Sequence, residues 1–334
     1  MRAPAVIGLD VGGVSTKAAT VDAGAVRTAA RAFEVWRDLP ALGATIASVL
    51  DELDPAGAAG VALTMTAELS DAFASKPEGV AFVLDAVART GRPARVFTVD
   101  GDFLAPGDAR REPRRVAAAN WAATAALVAR ELTAALVADV GSTTTDVIPV
   151  HRGRVAARGR TDLERLLHDE LRYTGALRTN AAAIAPTVPL RGRECPVASE
   201  LFAVSADVHV LLGHLRPEQC TARLPDGRSA SPRDARARLS RLVCADPDEL
   251  TADELLAIAA RLHERQVADI AAAMRAVAGR FADPPAVVAL GSGSFLARAA
   301  AELAGLAAAP APAVLRGPGG AIAPAVALAI LGAP

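Results

Sequence analysis

The sequence predicts an α/β fold built from two related modules, and a repeated motif with its flanking pattern carries that prediction. Residues 10–17 and 139–146 follow one pattern, D-V-G-x-x-[ST]-T. Each stretch follows a short apolar run, residues 5–9 and 134–138, and leads into β-branched alternation rather than a helix. Each therefore reads as a strand, a glycine turn and a second strand. In such a turn successive backbone N–H groups converge on an anion, hydroxyl side chains add donors, and the Asp closing the first strand can hold a metal ion. At 334 residues the chain has the length of two ordinary domains.

In the first module, residues 5–36 read as strands around turns at Gly12-Gly13 and at 22–24. Residues 39–53 carry helical apolar spacing, and 61–65 form a strand. Pro77-Glu78-Gly79 opens a helix running to about residue 90, 96–99 is a strand, and 116–132 is one long helix. The second module restarts with a hairpin over 136–150 that turns back at Arg152-Gly153. Helices are expected over 162–170, 204–215, 232–243 and 251–281, then a strand at 287–290 and the turn Gly291-Ser292-Gly293. Helices from Phe295 and from Pro324 complete the chain, and the polar segment 217–232 reads as an exposed excursion. The expected division is a first domain over 1–134, a second over 135–317, and a C-terminal helical segment over 318–334 packing back on the first.

A formal net charge of −1 and the absence of a basic stripe interleaved with aromatics argue against nucleic acid as partner. Cys195, Cys220 and Cys244 are odd in number and lack C-x-x-C spacing, which disfavours a disulfide framework and a zinc site and suits a reducing cytoplasm. Asp10 interrupts the first apolar run and Arg298 and Glu302 break the apolar C-terminal region, so no membrane segment is expected. A homo-oligomer is compatible with the sequence. Of the 36 basic residues only Lys17 and Lys76 are lysine, and both fall in segments singled out on other grounds.

Two hairpin-plus-α/β modules with matching turns describe a duplicated ribonuclease-H-like architecture, two such domains around an interdomain cleft. The chain resembles the superfamily of actin, chaperone ATPases and sugar kinases, and within it the hydantoinase/oxoprolinase-like branch. The two turns resemble that superfamily's first and second phosphate motifs, and Val288-Ala289-Leu290-Gly291-Ser292-Gly293 resembles its glycine turn beneath a nucleoside. Several further stretches are similar to the methanofuran-biosynthesis ether synthase family. They are Gly8-Leu9-Asp10-Val11-Gly12-Gly13, residues 64–73, Lys76-Pro77-Glu78-Gly79-Val80, Ala119-Asn120-Trp121, residues 139–146, Gly159-Arg160-Thr161-Asp162 and Ala206-Asp207-Val208-His209. Val14-Ser15 and Ala67 depart from that pattern. The resemblance implies a transferase that joins an aminomethylfuran-methyl diphosphate to the phenol oxygen of a tyramine-type acceptor, releasing diphosphate. It implies small molecules as the partners.

On this reading Asp10 and Asp139 face one another across the cleft and hold Mg²⁺ on the diphosphate, since Mg²⁺ takes one or two carboxylates plus phosphate oxygens. Their turns supply Gly12, Gly13, Ser15, Thr16 and Lys17 on one side and Gly141, Ser142, Thr143 and Thr144 on the other, with Gly291, Ser292 and Gly293 completing the binding set. Thr66 and Glu68 follow a strand, where α/β sheets place ligands. Lys76 would neutralise a diphosphate oxygen, and Glu68 or Asp71 would take the phenol proton; helix capping is the alternative for both acids. Asn120 and Trp121 lie in an alanine-rich helix, with Trp121 either stacking on a substrate ring or filling the core. Asp207 and His209 are metal-ligand types, but two apart on a helix they do not share a face and read as structural or partner-facing. The arginines of 152–172 read as a solvated surface. An ATP-dependent small-molecule kinase or hydantoinase-like enzyme is the second functional reading, and a nucleotide-gated regulator the third.

Overall fold

The computed structural model describes residues 6–333. Ala5 at the start of the first expected strand, the outermost N-terminal residues of the first domain and Pro334 at the end of the C-terminal segment lie outside the described residues. In chain order the strands are β1 (Val6–Val11), β2 (Ser15–Asp22), β3 (Ala25–Ala32), β4 (Gly60–Met65), β5 (Ala94–Phe97), β6 (Phe103–Leu104), β7 (Ala134–Val140), β8 (Thr145–His151), β9 (Arg154–Val155), β10 (Leu171–Arg172), β11 (Thr187–Leu190), β12 (Arg193–Pro196) and β13 (Val287–Leu290). The helices are α1 (Leu42–Leu53), α2 (Lys76–Ala88), α3 (Pro106–Arg111), α4 (Pro113–Val116), α5 (Asn120–Glu131), α6 (Asp162–Leu167), α7 (Ala181–Ile184), α8 (Ser205–Leu211), α9 (Pro232–Arg241), α10 (Ala252–Ala278), α11 (Ser294–Ala304), α12 (Pro318–Ala321) and α13 (Ala323–Leu331).

Contacts divide the chain into two compact units. One comprises residues up to Val137, Ile148–Glu170 and Ala309 onward; the other comprises Ala138–Val147 and Leu171–Ala308. The first holds a six-stranded mixed sheet in the order β3-β2-β1-β4-β5-β6, with β1 antiparallel to β2 and parallel to β4. Parallel pairing buries β1 and β4 on both faces, which is why Ile7, Leu9, Val11, Leu63 and Met65 are sealed off from solvent. Helix α13 packs directly on β1, where Gly8 leaves room only for the Ala325 backbone. The other sheet runs β10-β8-β7-β13, with β9 paired to β8. A second core in the latter unit gathers Leu239, Leu255, Ile258 and Leu262 from α9 and α10.

Short elements such as α3 and α7 add to the expected ones, and two larger differences stand out. The helix expected over 116–132 is broken: α4 ends at Val116, Ala117 bridges to Met65 of β4, and Ala118 takes the left-handed conformation at φ 48° before α5 starts at Asn120. Nothing in a run of three alanines signals this, because the break is set by pairing to β4. The β11–β12 hairpin, with Arg191 and Gly192 in its left-handed turn, also goes beyond the expected elements.

Candidate active site

In the first unit, the turn between β1 and β2 closes through the Gly12 N–H donating to the Ser15 carbonyl at 2.9 Å. Asp10 is buried at the end of β1, in register with Thr64 of β4 and Lys17 of β2. The Thr66 N–H donates to the Val11 carbonyl at 2.9 Å, which brings Thr66 beside the same turn. Ser15 and Lys17 are half-buried, while the Thr16 hydroxyl is fully buried with no hydrogen-bond partner among the described residues. Asp10, Gly12, Gly13, Ser15 and Thr66 are thus gathered at adjacent strand ends.

Glu68 follows β4 in a single 3₁₀ turn and is buried, with neither carboxylate oxygen making a hydrogen bond among the described residues. Burial pushes its carboxyl up to about 8. The Asp162 charge adds to that rise, while Lys76 and the backbone amides of Glu68 and Ala118 oppose it. The left-handed Ala118 therefore belongs to this site. Asp71, the other proton acceptor considered, is exposed.

Lys76 opens α2, with Ser75 as its N-cap and Pro77 at the second helical position. A cation at the positive end of a helix dipole is disfavoured by about 0.3–1 kcal/mol, so this placement needs a compensating partner. That partner is Asp162, whose Oδ2 accepts from Lys76 Nζ at 2.7 Å. Asp162 is itself fixed at the first position of α6 by a reciprocal capping box between Thr161 and Glu164. Arg165 reaches the other Asp162 oxygen at 3.5 Å and stacks its guanidinium 4.6 Å above the ring of Trp121.

One expectation holds in its core alternative and one is corrected. Trp121 is buried beneath Arg165, with its indole N–H shielded from solvent. Arg165, expected on a solvated surface, is buried, because Asp162, the Trp121 ring and the Glu170 carbonyl surround it. Asn120 is half-buried at the start of α5.

In the other unit the turn after β7 repeats the first: the Gly141 N–H donates to the Thr144 carbonyl at 2.9 Å. The Ser142 carbonyl accepts from the amides of Leu177 and Arg178 at 3.0 and 2.9 Å, and Ser142 Oγ lies 3.4 Å from Thr143 Oγ1. Gly291 has φ 83°, and a Cβ there would lie 2.5 Å from an Asp139 carboxylate oxygen and 2.2 Å from the Val140 carbonyl. Only glycine lets the 291–293 turn seat against Asp139, and the Gly293 N–H then donates to the Val140 carbonyl at 2.8 Å. Asp139, Gly141, Ser142, Thr143, Gly291 and Gly293 are therefore one cluster, while Ser292 is exposed.

Sequence reasoning missed three contributors. Asp162 and Arg165 carried no separate signal beyond the Gly159-Arg160-Thr161-Asp162 stretch. His209 was weighed only beside Asp207, which does not share its helix face, although three of the chain's five histidines fall within residues 209–263. Asp207 does serve structure, accepting from the buried Arg238 at 2.7 and 2.9 Å. Among the described residues no helix is long and apolar enough to cross a membrane.

Mixed sheets, paired D-V-G turns and a glycine turn beneath the second define the actin-like ATPase and sugar-kinase fold. The solved nucleotide-free structure of acetone carboxylase shares it at TM-score 0.58 over 92% of this chain and 68% of that one, at 12% identity. The hydantoinase/oxoprolinase family model matches residues 59–332, and the chain belongs to that family. A relative from Methanocaldococcus jannaschii, the (4-{4-[2-(gamma-L-glutamylamino)ethyl]phenoxymethyl}furan-2-yl)methanamine synthase, is 35% identical over 262 residues, 78% of each chain. The protein of the same name from Methanococcus vannielii is 37% identical over 124 residues, 37% of this chain and 55% of its own. The chain is an enzyme of the transferase class.

Proposed function

We propose that this enzyme joins an aminomethylfuran-methyl diphosphate to the phenol oxygen of a tyramine- or tyrosine-type acceptor, releasing diphosphate in the biosynthesis of a methanofuran-type cofactor in the cytoplasm. The product named for the relatives contains a phenoxymethyl ether between a furan and a phenol ring, and that ether is the bond this reaction makes. The observation that carries the reading is Glu68: a buried carboxyl raised to about 8, at a strand end beside the Lys76–Asp162 pair. A base poised near working pH is suited to accept a phenol proton.

In the proposed step the phenol proton passes to Glu68, and an oxygen electron pair forms the bond to the furan-bearing methylene. The methylene–oxygen bond to diphosphate breaks with its pair leaving on diphosphate. The electron-rich ring supports positive charge on the departing CH₂, so the protein has chiefly to orient the reactants and screen charge. Lys76, held in place by Asp162, meets a diphosphate oxygen, and the turn amides and hydroxyls meet others. Asp10 in the one unit and Asp139 in the other, each at a strand end beside hydroxyl side chains, each offer the kind of oxygen donor that Mg²⁺ takes, and Mg²⁺ held by either carboxylate would neutralise charge on a leaving diphosphate.

A thermal-shift titration tests the ligand class. Diphosphate with Mg²⁺ at 100 times its dissociation constant is expected to stabilise the chain by about 2.7 kcal/mol, and chelating Mg²⁺ is expected to abolish the shift. Stabilisation by ATP alone, with phosphate transfer to a small molecule, would point to a kinase instead.

A further inference from the structure

Three histidines converge within the second unit, away from its glycine turns in sequence. His209 lies in the last turn of α8, and beyond the helix end the chain reverses through Gly213 at φ 74°. The Gly213 N–H donates to the Val210 carbonyl at 3.1 Å and the His214 N–H to the His209 carbonyl at 2.8 Å. This paired helix-ending motif needs a left-handed glycine, and it folds His214 back beside His209. His263 comes from the middle of α10. The ligand nitrogens of all three rings lie within 4.8 Å of one another, and His209 Nδ1 and His214 Nδ1 are 3.5 Å apart.

The protonation pattern around His209 is legible from its neighbours. The Gln266 side-chain nitrogen donates to Thr174 Oγ1 and to the Gly175 carbonyl, both at 2.8 Å, and a carbonyl can only accept. The Gln266 oxygen therefore faces His209 Nε2 at 3.0 Å and accepts its N–H. That leaves a lone pair on His209 Nδ1, directed at His214. His263 Nδ1 is shielded from solvent and has no hydrogen-bond partner among the described residues. Burial pushes His209 down to about 3 and His263 down to about 4, which keeps both rings in the neutral form that coordinates metals. Phe295 closes the cluster, with its ring 4.8 Å from His209 and 5.1 Å from His214.

We propose that His209, His214 and His263 form a binding site for a divalent transition metal of the zinc class, with its fourth position open toward solvent at the exposed His214. Tetrahedral Zn²⁺ at about 2.0–2.1 Å from each nitrogen sets the nitrogens about 3.4 Å apart, a spacing the 209–214 pair already has and His263 reaches by a modest ring movement. An N–H fixed by an outer acceptor, here Gln266, is the arrangement that orients metal-bound imidazole. Gln266 also ties this site to Thr174 and Gly175. A Cβ on Gly175 would lie 2.5 Å from the Thr143 amide, so the site braces the second phosphate turn from behind. The proposal is independent of the reaction assigned above.

The test uses the full chain with any affinity tag removed and metals stripped by chelator. Zn²⁺ is titrated against a chromophoric competitor, and Co²⁺ is titrated for the visible absorption of a four-coordinate ion. One Zn²⁺ per chain is expected. His214→Ala, at an exposed position that folding tolerates, and His263→Ala are each expected to weaken binding by at least about 100-fold, and Gln266→Leu by roughly 10- to 100-fold. No stoichiometric binding by the wild-type chain, or affinity unchanged in both histidine variants, would overturn the site.

Discussion

Lys76 and Asp162 meet at 2.7 Å although 86 residues separate them, and each stands in the first turn of its own helix. The acid suits its helix terminus and the lysine does not, so the pair holds a cation where the local dipole disfavours one. The nearby buried Glu68 feels both charges, the lysine lowering and the acid raising its proton affinity.

Replacing Lys76 with Arg is expected to lose most activity, roughly 10²-fold, because a planar fork does not reproduce a compact ammonium held by one carboxylate. Lys76→Ala should lose at least as much. The pair is partly exposed, so thermal denaturation should register a change within about 1 kcal/mol. Exposed Arg233→Ala serves as control, shifting stability by no more than about 0.5 kcal/mol with turnover unchanged.

Asp10→Asn and Asp139→Asn should each fold and each lower turnover by roughly 10²- to 10³-fold, as expected where a charge facing a leaving diphosphate is removed. Steady-state rates across a Mg²⁺ titration check this. Wild-type rates in both variants would remove these carboxylates from the site.

Glu68 makes stability depend on pH. Its folded value is about 8 against an ordinary 4.5, so between those values the native state holds a proton that the unfolded chain has released. Stability contributed by neutral Glu68 is therefore present below about pH 4.5 and lost as pH rises toward 8, with a slope of at most about 1.4 kcal/mol per pH unit. Denaturant melts of wild type and Glu68→Gln across this range should differ by that slope, which the amide abolishes. The same variant should lose about 10²- to 10⁴-fold in turnover, and the wild-type rate should climb to a plateau above pH 8.

Trp121→Ala should destabilise the fold by about 3–5 kcal/mol, since it empties a core position and strips the stacked face from Arg165. Chemical denaturation measures this directly.

The two D-V-G turns were legible because each is local: a strand, a glycine turn and hydroxyls within eight residues, read by period and spacing. The same locality made α10, capped by Thr251 and Glu254, and the β13–turn–α11 unit readable within a few residues of their ends. What escaped depends on contacts distant in sequence. The left-handed Ala118 follows from pairing with β4, Arg165 is buried by a tryptophan 44 positions earlier, and the histidine cluster forms only when α8 and α10 pack together. Periodicity carries no information about such meetings. Trp121 belongs with them: a rare aromatic in an alanine-rich helix suits a ligand or the core equally by pattern, and the partner on its ring is the chain's own arginine.

The most direct measurement of the central claim is diphosphate release from a furfuryl-type diphosphate, with and without a tyramine-type phenol, beside ATP hydrolysis under the same conditions. Release that requires the phenol, matched mole for mole by an aryl ether and unaffected by ATP, is the predicted result. Phenol-independent behaviour without ether, together with ATP turnover coupled to phosphorylation of a small molecule, would contradict it.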